Sequence, residues 1–378
     1  MGLIFAFKPW IFPGYFFAPN FLGGFMRKTF LVCVSIIFVM ATMLLSCTGE
    51  KNKNRQSSGQ GVKIAVFIPG VMAGSPIYEE LALGVQRAAD DFNLSHPSQK
   101  NKVEVTVIEA GFNQAEWENQ ATALAASGTY DLIISSNPSL PVIVNSISTK
   151  FPNQKFMLMD GELAGNPSVY TLRYNQREQA YMAGYIAALA SVESGVEAGG
   201  RKRIGLVAAQ EYPVMMNTIL PGYLEGALAV DPDFTVDFRV IGNWYDALKG
   251  AELAADMIRG GSRVLLPVAG GAGEGVVQAA AESGVKVVWF DANGYNVRPG
   301  VVIGSTIIRQ EKATYEKTLI YLNGELPFGN AEIVGITGGY VDFVDDDPVY
   351  LSTVSESIRL KQAEMTACLR SGELRLDN

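Results

Sequence analysis

Apolar runs and helically spaced apolar positions alternate along the chain from Val62 onwards. The runs at residues 62–68, 130–136 and 264–269 have the length and apolar character of strands that are buried on both faces. Between such runs, apolar residues recur every three or four positions, as they do from residue 77 to residue 92, and this spacing predicts helices. The repeated strand–helix order predicts an α/β fold in which helices cover both faces of parallel sheets.

The strand–helix order starts again after residue 174, with a helix at 177–189 and a strand at 204–209. Because later segments return after both runs, we expect two lobes that are joined by several crossovers. The expected boundaries are residues 62–173 with about 306–330 for the first lobe, and residues 174–305 with about 331–378 for the second.

One stretch, at residues 264–295, combines a buried strand, a glycine cluster, a helix and a second strand that ends on Asp291. Ligands bind at the carboxyl edge of open α/β sheets, so we expect the site at this edge, with Asp291 in it. The cluster has no lysine for a phosphate-binding loop, and its glycines do not have dinucleotide-binding spacing. Gly271 therefore either lets a ligand approach the backbone or serves a tight turn with close helix packing.

Other polar and aromatic residues fall at predicted strand ends or near the first helix. The candidates are Asn137, Asp160, Trp244, Tyr245 and Asp246, together with Ser75 and Tyr78. Aromatic faces stack on flat ligands, and carboxylates accept hydrogen bonds from ligand hydroxyls. Each has a plainer alternative: Trp244 and Tyr245 would cover a helix end, and Asp246 would be an N-cap. In the same way, Asp160 before a glycine would be only a turn residue.

Composition narrows the class of protein. The chain has 378 residues, of which 48% are hydrophobic and 18% charged, with a net charge of −8. Three of the 30 basic residues and no acids lie in residues 1–47, which leaves 27 basic against 38 acidic residues, or −11, for the remainder. This acidic balance argues against a nucleic-acid-binding face.

Catalytic and metal-binding patterns are missing from the sequence. The single histidine, His96, falls in a predicted loop, and neither a G-x-S-x-G motif nor a cysteine–histidine cluster occurs. We therefore expect a binding protein without a cofactor or metal, and not an enzyme.

The amino-terminal region has the pattern of an export signal. Arg27 and Lys28 precede an apolar segment at residues 30–45, and Ser46-Cys47 follows it in the manner of a lipobox. This order predicts lipid attachment at Cys47 and cleavage before it; an ordinary signal peptide or an anchor helix is the alternative. Since Met26 opens a complete signal by itself, we expect translation to start there.

Residues 48–61 are polar and predict a flexible tether between the membrane and the fold. Cys33 would leave with the signal, and Cys47 would be acylated. Cys368 would then stand alone, so no intrachain disulfide is expected.

Several segments together resemble the basic membrane protein (BMP) family of substrate-binding lipoproteins of ABC transporters, which includes purine nucleoside receptors. The most distinctive is AGGAGEGV at residues 269–276. The others are at residues 151–156, 160–161, 178–184, 222–227 and 244–250. The resemblance implies a type I periplasmic-binding-protein fold, in which two Rossmann-like lobes close on a ligand about a hinge.

The resemblance also implies roles at matching positions. Asp291 falls where the family holds ribose hydroxyls, and Trp244 falls where a cleft aromatic residue stacks on the base. Gly271 lies in the loop that lets the backbone approach the ligand, and Asn137 ends a strand that lines the cleft from the first lobe. Near the first helix, Tyr78 stands close to the place of the family's stacking phenylalanine.

Three positions depart from the family pattern. Ile68 replaces an aspartate after the first strand, Asn293-Gly294 replaces Asp-Gln, and Ile308 replaces a lysine near the second crossover. The resemblance implies a lipid-anchored receptor facing the periplasm or cell exterior, with an ABC permease and ATPase as partners and a nucleoside as ligand. A sugar or another small polar metabolite is the alternative ligand, and a sensory lipoprotein without transport is the alternative function.

Overall fold

The structure is a computed structural model that describes residues 61–97, 102–195 and 202–376. The expected start at Met26, the lipid attachment at Cys47 and nearly all of the 48–61 tether lie outside these ranges. Among the described helices, none is both long and apolar enough to cross a lipid bilayer.

The strands alternate with the helices for most of the chain, as the hydrophobic pattern predicts. In chain order the strands are β1 (Lys63–Ile68), β2 (Glu104–Glu109), β3 (Leu132–Ser136), β4 (Lys155–Met159), β5 (Val169–Tyr174), β6 (Arg203–Ala208), β7 (Thr235–Val240), β8 (Val264–Val268), β9 (Lys286–Trp289), β10 (Val302–Ile308), β11 (Ala331–Val334) and β12 (Val341–Phe343).

Apart from the short helix at residues 348–353, the helices that cover the sheets have bounds within a few residues of those expected from their apolar spacing. They are α1 (Pro76–Ser95), α2 (Trp117–Ala126), α3 (Leu140–Lys150), α4 (Gln176–Glu193), α5 (Leu220–Leu228), α6 (Ala247–Arg259), α7 (Gly273–Ser283), α8 (Gln310–Leu322), α9 (Pro348–Thr353) and α10 (Glu356–Ser371).

Two six-stranded sheets form the centres of two lobes. The first has the order β11-β5-β4-β3-β1-β2, and the second has the corresponding order β12-β10-β9-β8-β6-β7. All pairings between strands are parallel except that of β10 with β12. The predicted α/β fold with two Rossmann-like lobes is confirmed.

The expected lobe boundaries need correction near the carboxyl terminus. Strand β11 pairs with β5 in the first sheet, with Ala331 opposite Thr171 and Val334 opposite Tyr174. Assigning everything after residue 331 to the second lobe is therefore wrong for this strand. Strand β10, part of which was expected in the first lobe, belongs to the second sheet. The short elements β12 and α9 were not predicted, since each has too few residues to show a period.

Three crossovers connect the lobes and lie side by side. The backbone N–H of Asn175 donates to the carbonyl of Val334 at 2.7 Å, and that of Arg309 donates to Tyr340 at 2.8 Å. The crossovers therefore follow β5, β10 and β11, and the third lies after Val334, later than the lobe boundary expected at about residue 330. Their mutual hydrogen bonds fit a hinge that moves as one unit.

Candidate functional site

Segments that leave the carboxyl ends of the two sheets meet in a cleft. The Tyr245 hydroxyl, after β7, donates to the carbonyl of Pro69, after β1, at 3.3 Å. The Tyr245 ring also meets the edge of Phe112, after β2, with 4.8 Å between centroids. A third contact joins the Gln210 amide of the second lobe to Gln114 of the first at 3.4 Å. The lobes are therefore closed on each other at this edge.

Two aspartates stand at equivalent places on either side of the cleft. Asp160 follows β4 and Asp291 follows β9, and each strand is third from the edge of its sheet. Within the described ranges they are the only residues other than glycine with a positive φ, at 54° and 72°. Such backbone strain persists only where the surrounding structure enforces it, and it is concentrated at functional sites.

Asp291 is held by a buried amide. The Gln179 Nε2 group, near the start of α4, donates to Asp291 Oδ1 at 3.0 Å and to the carbonyl of Thr306 at 3.3 Å. Burial raises the pKa of Asp291 to about 6, and the hydrogen bond from Gln179 opposes this rise because it favours the charged form. The carboxylate is therefore mostly ionised at neutral pH and can accept hydrogen bonds from a ligand.

Asp160 experiences a stronger electrostatic cost. Burial, and next the charge of Asp291, hold the pKa of Asp160 well above its ordinary value, while Arg173 lowers it. Because the charge of Asp291 contributes to this rise in pKa, the Asp160 carboxyl lies within electrostatic range of Asp291 across the cleft. Both side chains remain partly accessible there.

Aromatic side chains line the same space. Trp244 packs against the buried side chains of the first lobe and against Ala209, Ala269 and Ala272 of the second, so it lies between the lobes. Tyr212 lies 6.2 Å from Trp244, centroid to centroid, with 37° between the ring planes. Burial, and next the charges of Asp160 and Asp291, raise the pKa of Tyr212. The Tyr212 hydroxyl is therefore within electrostatic range of both carboxylates.

The first-lobe wall is built around Tyr78. Its hydroxyl donates to the carbonyl of Pro69 at 3.2 Å, and the Asn137 amide donates to the same hydroxyl at 3.3 Å. Asn137 Oδ1 in turn accepts from the backbone of Ser139 at 2.9 Å. Tyr78 and Asn137 thus lie together, beside the contact that Tyr245 makes with the first lobe.

Gly271 and Ser75 differ in how closely they approach the cleft. A Cβ built on Gly271 would lie 3.7 Å from the Trp244 carbonyl oxygen and from a Tyr245 ring carbon, so Gly271 borders the aromatic wall. Close helix packing explains Gly275 instead, whose Cβ would lie 1.8 Å from the Ala247 carbonyl oxygen. Ser75 takes the N-cap position of α1, but its hydroxyl caps no backbone N–H, and only its carbonyl contacts a site residue, by accepting from the backbone N–H of Tyr78 at 3.0 Å.

Some candidates have plain structural roles. The Asp246 carboxylate accepts from the backbone of Lys249 at 2.9 Å, so it is the N-cap of α6. His96 is exposed and stacks on Phe92 with centroids 4.2 Å apart. In the part of the chain that the structure describes, no group of three His, Cys, Asp or Glu side chains is placed to hold a metal ion.

Sequence reasoning missed Gln179 and Tyr212. Gln179 is on a predicted helix, and Tyr212 follows β6 at the carboxyl edge of the second sheet. The position of Tyr212 after a predicted strand was a usable signal. Nothing in the sequence distinguishes Gln179 from a surface glutamine, because its burial arises from packing between α4 and β10.

At the three places that depart from the family pattern, no side chain makes a described polar contact with this space, although the backbone N–H of Ile308 donates to the carbonyl of Asp291 at 3.1 Å. Ile68 and Ile308 are buried strand residues. Asn293 donates to Asp347 at 2.9 Å on an exposed surface, and Gly294 lies against Trp289, where a Cβ would be 2.1 Å from Cγ of the indole. The polar side chains that the first lobe places at the cleft are instead those of Tyr78, Asn137 and Asp160.

Residues 61–374 match the family of PnrA-like ABC transporter substrate-binding proteins, also called Bmp. The chain belongs to this family. Its members are substrate-binding proteins and not enzymes. The resemblance inferred from the sequence is thereby confirmed.

Relatives of this BMP-family chain carry related names. It is 29% identical to the ABC transporter nucleoside-binding protein BmpA of Lactococcus lactis, over a stretch that covers 40% of each chain. It is 24% identical to basic membrane protein B of Borrelia garinii, covering 81% of this chain and 87% of that one. A lipoprotein of Pyrococcus horikoshii is 24% identical, covering 63% and 57%.

Solved structures show the same fold. An ABC transporter solute-binding protein from Aeropyrum pernix superposes with a TM-score of 0.70 at 21% identity, covering 84% of this chain and 93% of the other. At this identity the similarity establishes the two-lobed architecture alone.

Proposed function

We propose that this protein is the lipid-anchored receptor of an ABC importer, outside the cytoplasm, and that its ligand is a nucleoside. The observation that carries the proposal is the pairing of a partly buried, amide-held carboxylate, Asp291, with an aromatic wall formed by Trp244 and Tyr212. A carboxylate suits the two adjacent hydroxyls of a ribose, and an aromatic face suits a base. The name of the Lactococcus relative supports the same ligand class.

The proposed contacts assign one part of the ligand to each wall. Asp291 accepts from the ribose hydroxyls, and Trp244 stacks on the base. Gly271 lets the ligand approach the backbone, while Tyr78 and Asn137 close the site from the first lobe. Ser75 remains a proposed contact of the first loop, although no described interaction of its side chain supports it.

The deciding experiment is mass spectrometry of the compound that copurifies with the protein. Calorimetry against ribonucleosides, deoxynucleosides, free bases and pentoses then ranks the ligand classes. We expect ribonucleosides to bind best, because only a base joined to a ribose can contact both the aromatic wall and Asp291. A pentose that binds as tightly as any nucleoside would replace the nucleoside proposal with a sugar receptor. A neighbouring permease and ATPase gene set would distinguish import from sensing.

Gln179→Met is expected to weaken nucleoside binding and to move its pH dependence upward. Without the amide donor, the pKa of Asp291 rises above about 6, because the opposing hydrogen bond is lost and burial remains. Binding needs the ionised form, so affinity is lost as pH falls through this pKa, and the variant loses it at higher pH. The measurement is Kd by calorimetry between pH 5 and pH 8.

The matched control for this variant is Gln362→Met. Gln362 is also fully buried and its amide also donates to a backbone carbonyl, that of Met182 at 3.4 Å, but it lies on α10. We expect its pH profile to match the wild type. Identical profiles for both variants would show that Gln179 does not tune Asp291.

Cys47→Ala is expected to release the protein from the membrane and to block processing. The basic pair, apolar segment and Ser46-Cys47 order motivate this expectation. One acyl chain gives only marginal membrane binding, so intact-mass analysis of the mature wild type should show at least two chains on Cys47. A processed, membrane-bound Cys47→Ala protein would rule the anchor out.

A further inference from the structure

Strand β7 is an edge of the second sheet. Within the described ranges it pairs only with β6, in parallel. The backbone N–H of Thr235, at its start, and that of Ile241, just after its end, both donate to carbonyls on the β6 side. Because backbone groups alternate in direction along a strand, the N–H and C=O groups of Val236, Phe238 and Val240 point outward, where a further strand can pair with them.

Two opposite charges stand two residues apart on this edge. Asp237 and Arg239 share one face of β7, since side chains alternate between the faces of a strand. Arg239 Nε lies 2.8 Å from Asp237 Oδ1, but the hydrogen bond described between the two side chains is a long one, from Nη2 to Oδ2 at 3.4 Å. The Arg239 side chain is 48% exposed, so its guanidinium has donors left for an acceptor outside the chain.

A groove of about 510 Å³ lies beside the same edge, and its wall carries both signs of charge. The lining residues are Arg203, Asp233, Thr235, Val236, Asp237 and Arg239. On the other face of the strand, Val236 and Phe238 are partly buried against the core. The edge therefore combines an apolar face with a charged face, and a partner strand needs the same combination to match it.

The sequence of β7 is complementary to itself. In an antiparallel pair of two copies the outward residues must face one another, so the possible registers differ by two residues. When Phe238 lies opposite its counterpart, Asp237 of each copy lies opposite Arg239 of the other. A shift in one direction instead places two copies of Asp237 opposite each other, and a shift in the other direction does the same for Arg239. Like charges directly opposite are destabilising, so the register centred on Phe238 is favoured.

The other sheet edges do not offer such pairs. Strand β2, the equivalent edge of the first sheet, has Glu104 and Glu109 at its ends and contains no basic residue. Strands β11 and β12, at the opposite edges, have only four and three residues. Opposite charges that meet on self-pairing are therefore a property of β7 among the four edges.

We propose that the edge of β7 is an interaction surface for a second copy of this chain, and that the two β7 strands pair antiparallel about Phe238. The two second-lobe sheets then form one continuous sheet. Asp237 and Arg239 fall at close pairs of the ladder, with about 4.5 Å between Cα atoms, which suits a charge-assisted hydrogen bond on each side of the twofold axis. Since the carboxyl edges of the two copies point in opposite directions, their clefts do not face each other.

The charge pairs provide the first test. Asp237→Arg alone and Arg239→Asp alone each place like charges opposite one another, and each should weaken dimerisation by about tenfold or more. A mixture of the two variants restores both opposite pairs, and so does the double variant in one chain. Both should regain the wild-type dimer in sedimentation of the purified protein over a range of concentrations. Because neither single variant can dimerise well by itself, recovery in the mixture excludes a folding defect as the cause.

A disulfide test determines the register. In a Cys368→Ser background, Phe238→Cys should cross-link to its own counterpart under mild oxidation, because hydrogen-bonded pairs have Cα atoms about 5.5 Å apart. Val236→Cys alone should not cross-link, whereas a mixture of Val236→Cys and Val240→Cys should. Cross-linking of Val236→Cys alone that equals that of Phe238→Cys would contradict the register.

Asp90→Arg is the matched control. Asp90 is an exposed carboxylate on α1 of the first lobe, where it accepts from Gln86 at 2.9 Å, and the variant makes the same change of charge away from β7. We expect its dimerisation to match the wild type. A wild type that stays monomeric at the highest concentration reached, or single charge variants that dimerise as well as the wild type, would overturn the proposed surface. Ligand affinity should be unchanged in Asp237→Arg, so these outcomes are independent of the proposed function.

Discussion

Asp291→Ala is expected to weaken nucleoside binding by about ten- to a hundredfold or more. Hydrogen bonds to a charged group contribute about 1.5–3 kcal/mol, and this carboxylate can accept from two adjacent hydroxyls. Asp291→Asn should recover only part of the loss, since its amide accepts hydrogen bonds without the charge. Calorimetry with the best ribonucleoside and its 2′-deoxy analogue provides the measurement, and the analogue should bind weakly to the wild type.

The Asp291 variants also test how the stability of the folded protein depends on pH. Asp291 has a folded-state pKa of about 6, above its ordinary value of 3.8, so its ionisation at neutral pH costs folding free energy. That cost is absent below pH 3.8 and grows as pH rises to about 6, so Asp291→Asn should be more stable than the wild type at pH 7. Wild-type affinity in Asp291→Ala would show that the site lies at another strand end.

Gly70→Ala is expected to hold the lobes apart and to weaken binding about ten- to a hundredfold. A Cβ at this position would lie 2.4 Å from the Tyr245 hydroxyl and 3.2 Å from a Tyr78 ring carbon. Overpacking of this kind typically costs about 1–3 kcal/mol, and here the closed arrangement bears most of the cost. Small-angle scattering at saturating nucleoside should show contraction for the wild type and less contraction for the variant.

A second substitution tests whether Tyr245 is the cause. In Gly70→Ala with Tyr245→Phe the clashing oxygen is gone, and the next Tyr245 atom, Cζ, lies 3.6 Å from the new Cβ. We expect this double variant to regain most of the contraction and affinity. The remaining deficit reflects the lost hydrogen bond from Tyr245 to Pro69, the Tyr78 ring carbon 3.2 Å from the new Cβ, and the φ of 154° at Gly70. A double variant as impaired as Gly70→Ala would mean that lobe closure does not depend on this contact.

The fold could be predicted from the sequence wherever a segment is long enough to show its period. The buried runs at β1, β3 and β8 were assigned correctly, because strands covered on both faces are apolar throughout. The assignment of β11 to a lobe failed for a different reason. The sequence of a four-residue strand does not indicate which sheet the strand joins. That choice depends on the unpaired edge of β5, which exists only when the first sheet has formed.

The site was predictable to the extent that it follows from topology. Asp291, Trp244 and Asn137 could be placed at the cleft from the sequence because parallel strands have their carboxyl ends at one edge. The contact of Gln179 with Asp291 depends on burial within the assembled lobes, which no local pattern encodes. Asp160 was visible as a strand-end residue, but the sequence could not separate a turn aspartate from one that faces Asp291.

Strand β11 also bears on how the chain folds. The edge of β5 stays uncovered until β11, about 155 residues later, is available to pair with it. An unpaired β edge is a template for association with other chains, and pairing across so long a loop is slow. Protein truncated before Ala331 should therefore aggregate through the first sheet even though the residues of its candidate site are all present. A strand that is synthesised late thus covers one edge of the sheet of the first lobe.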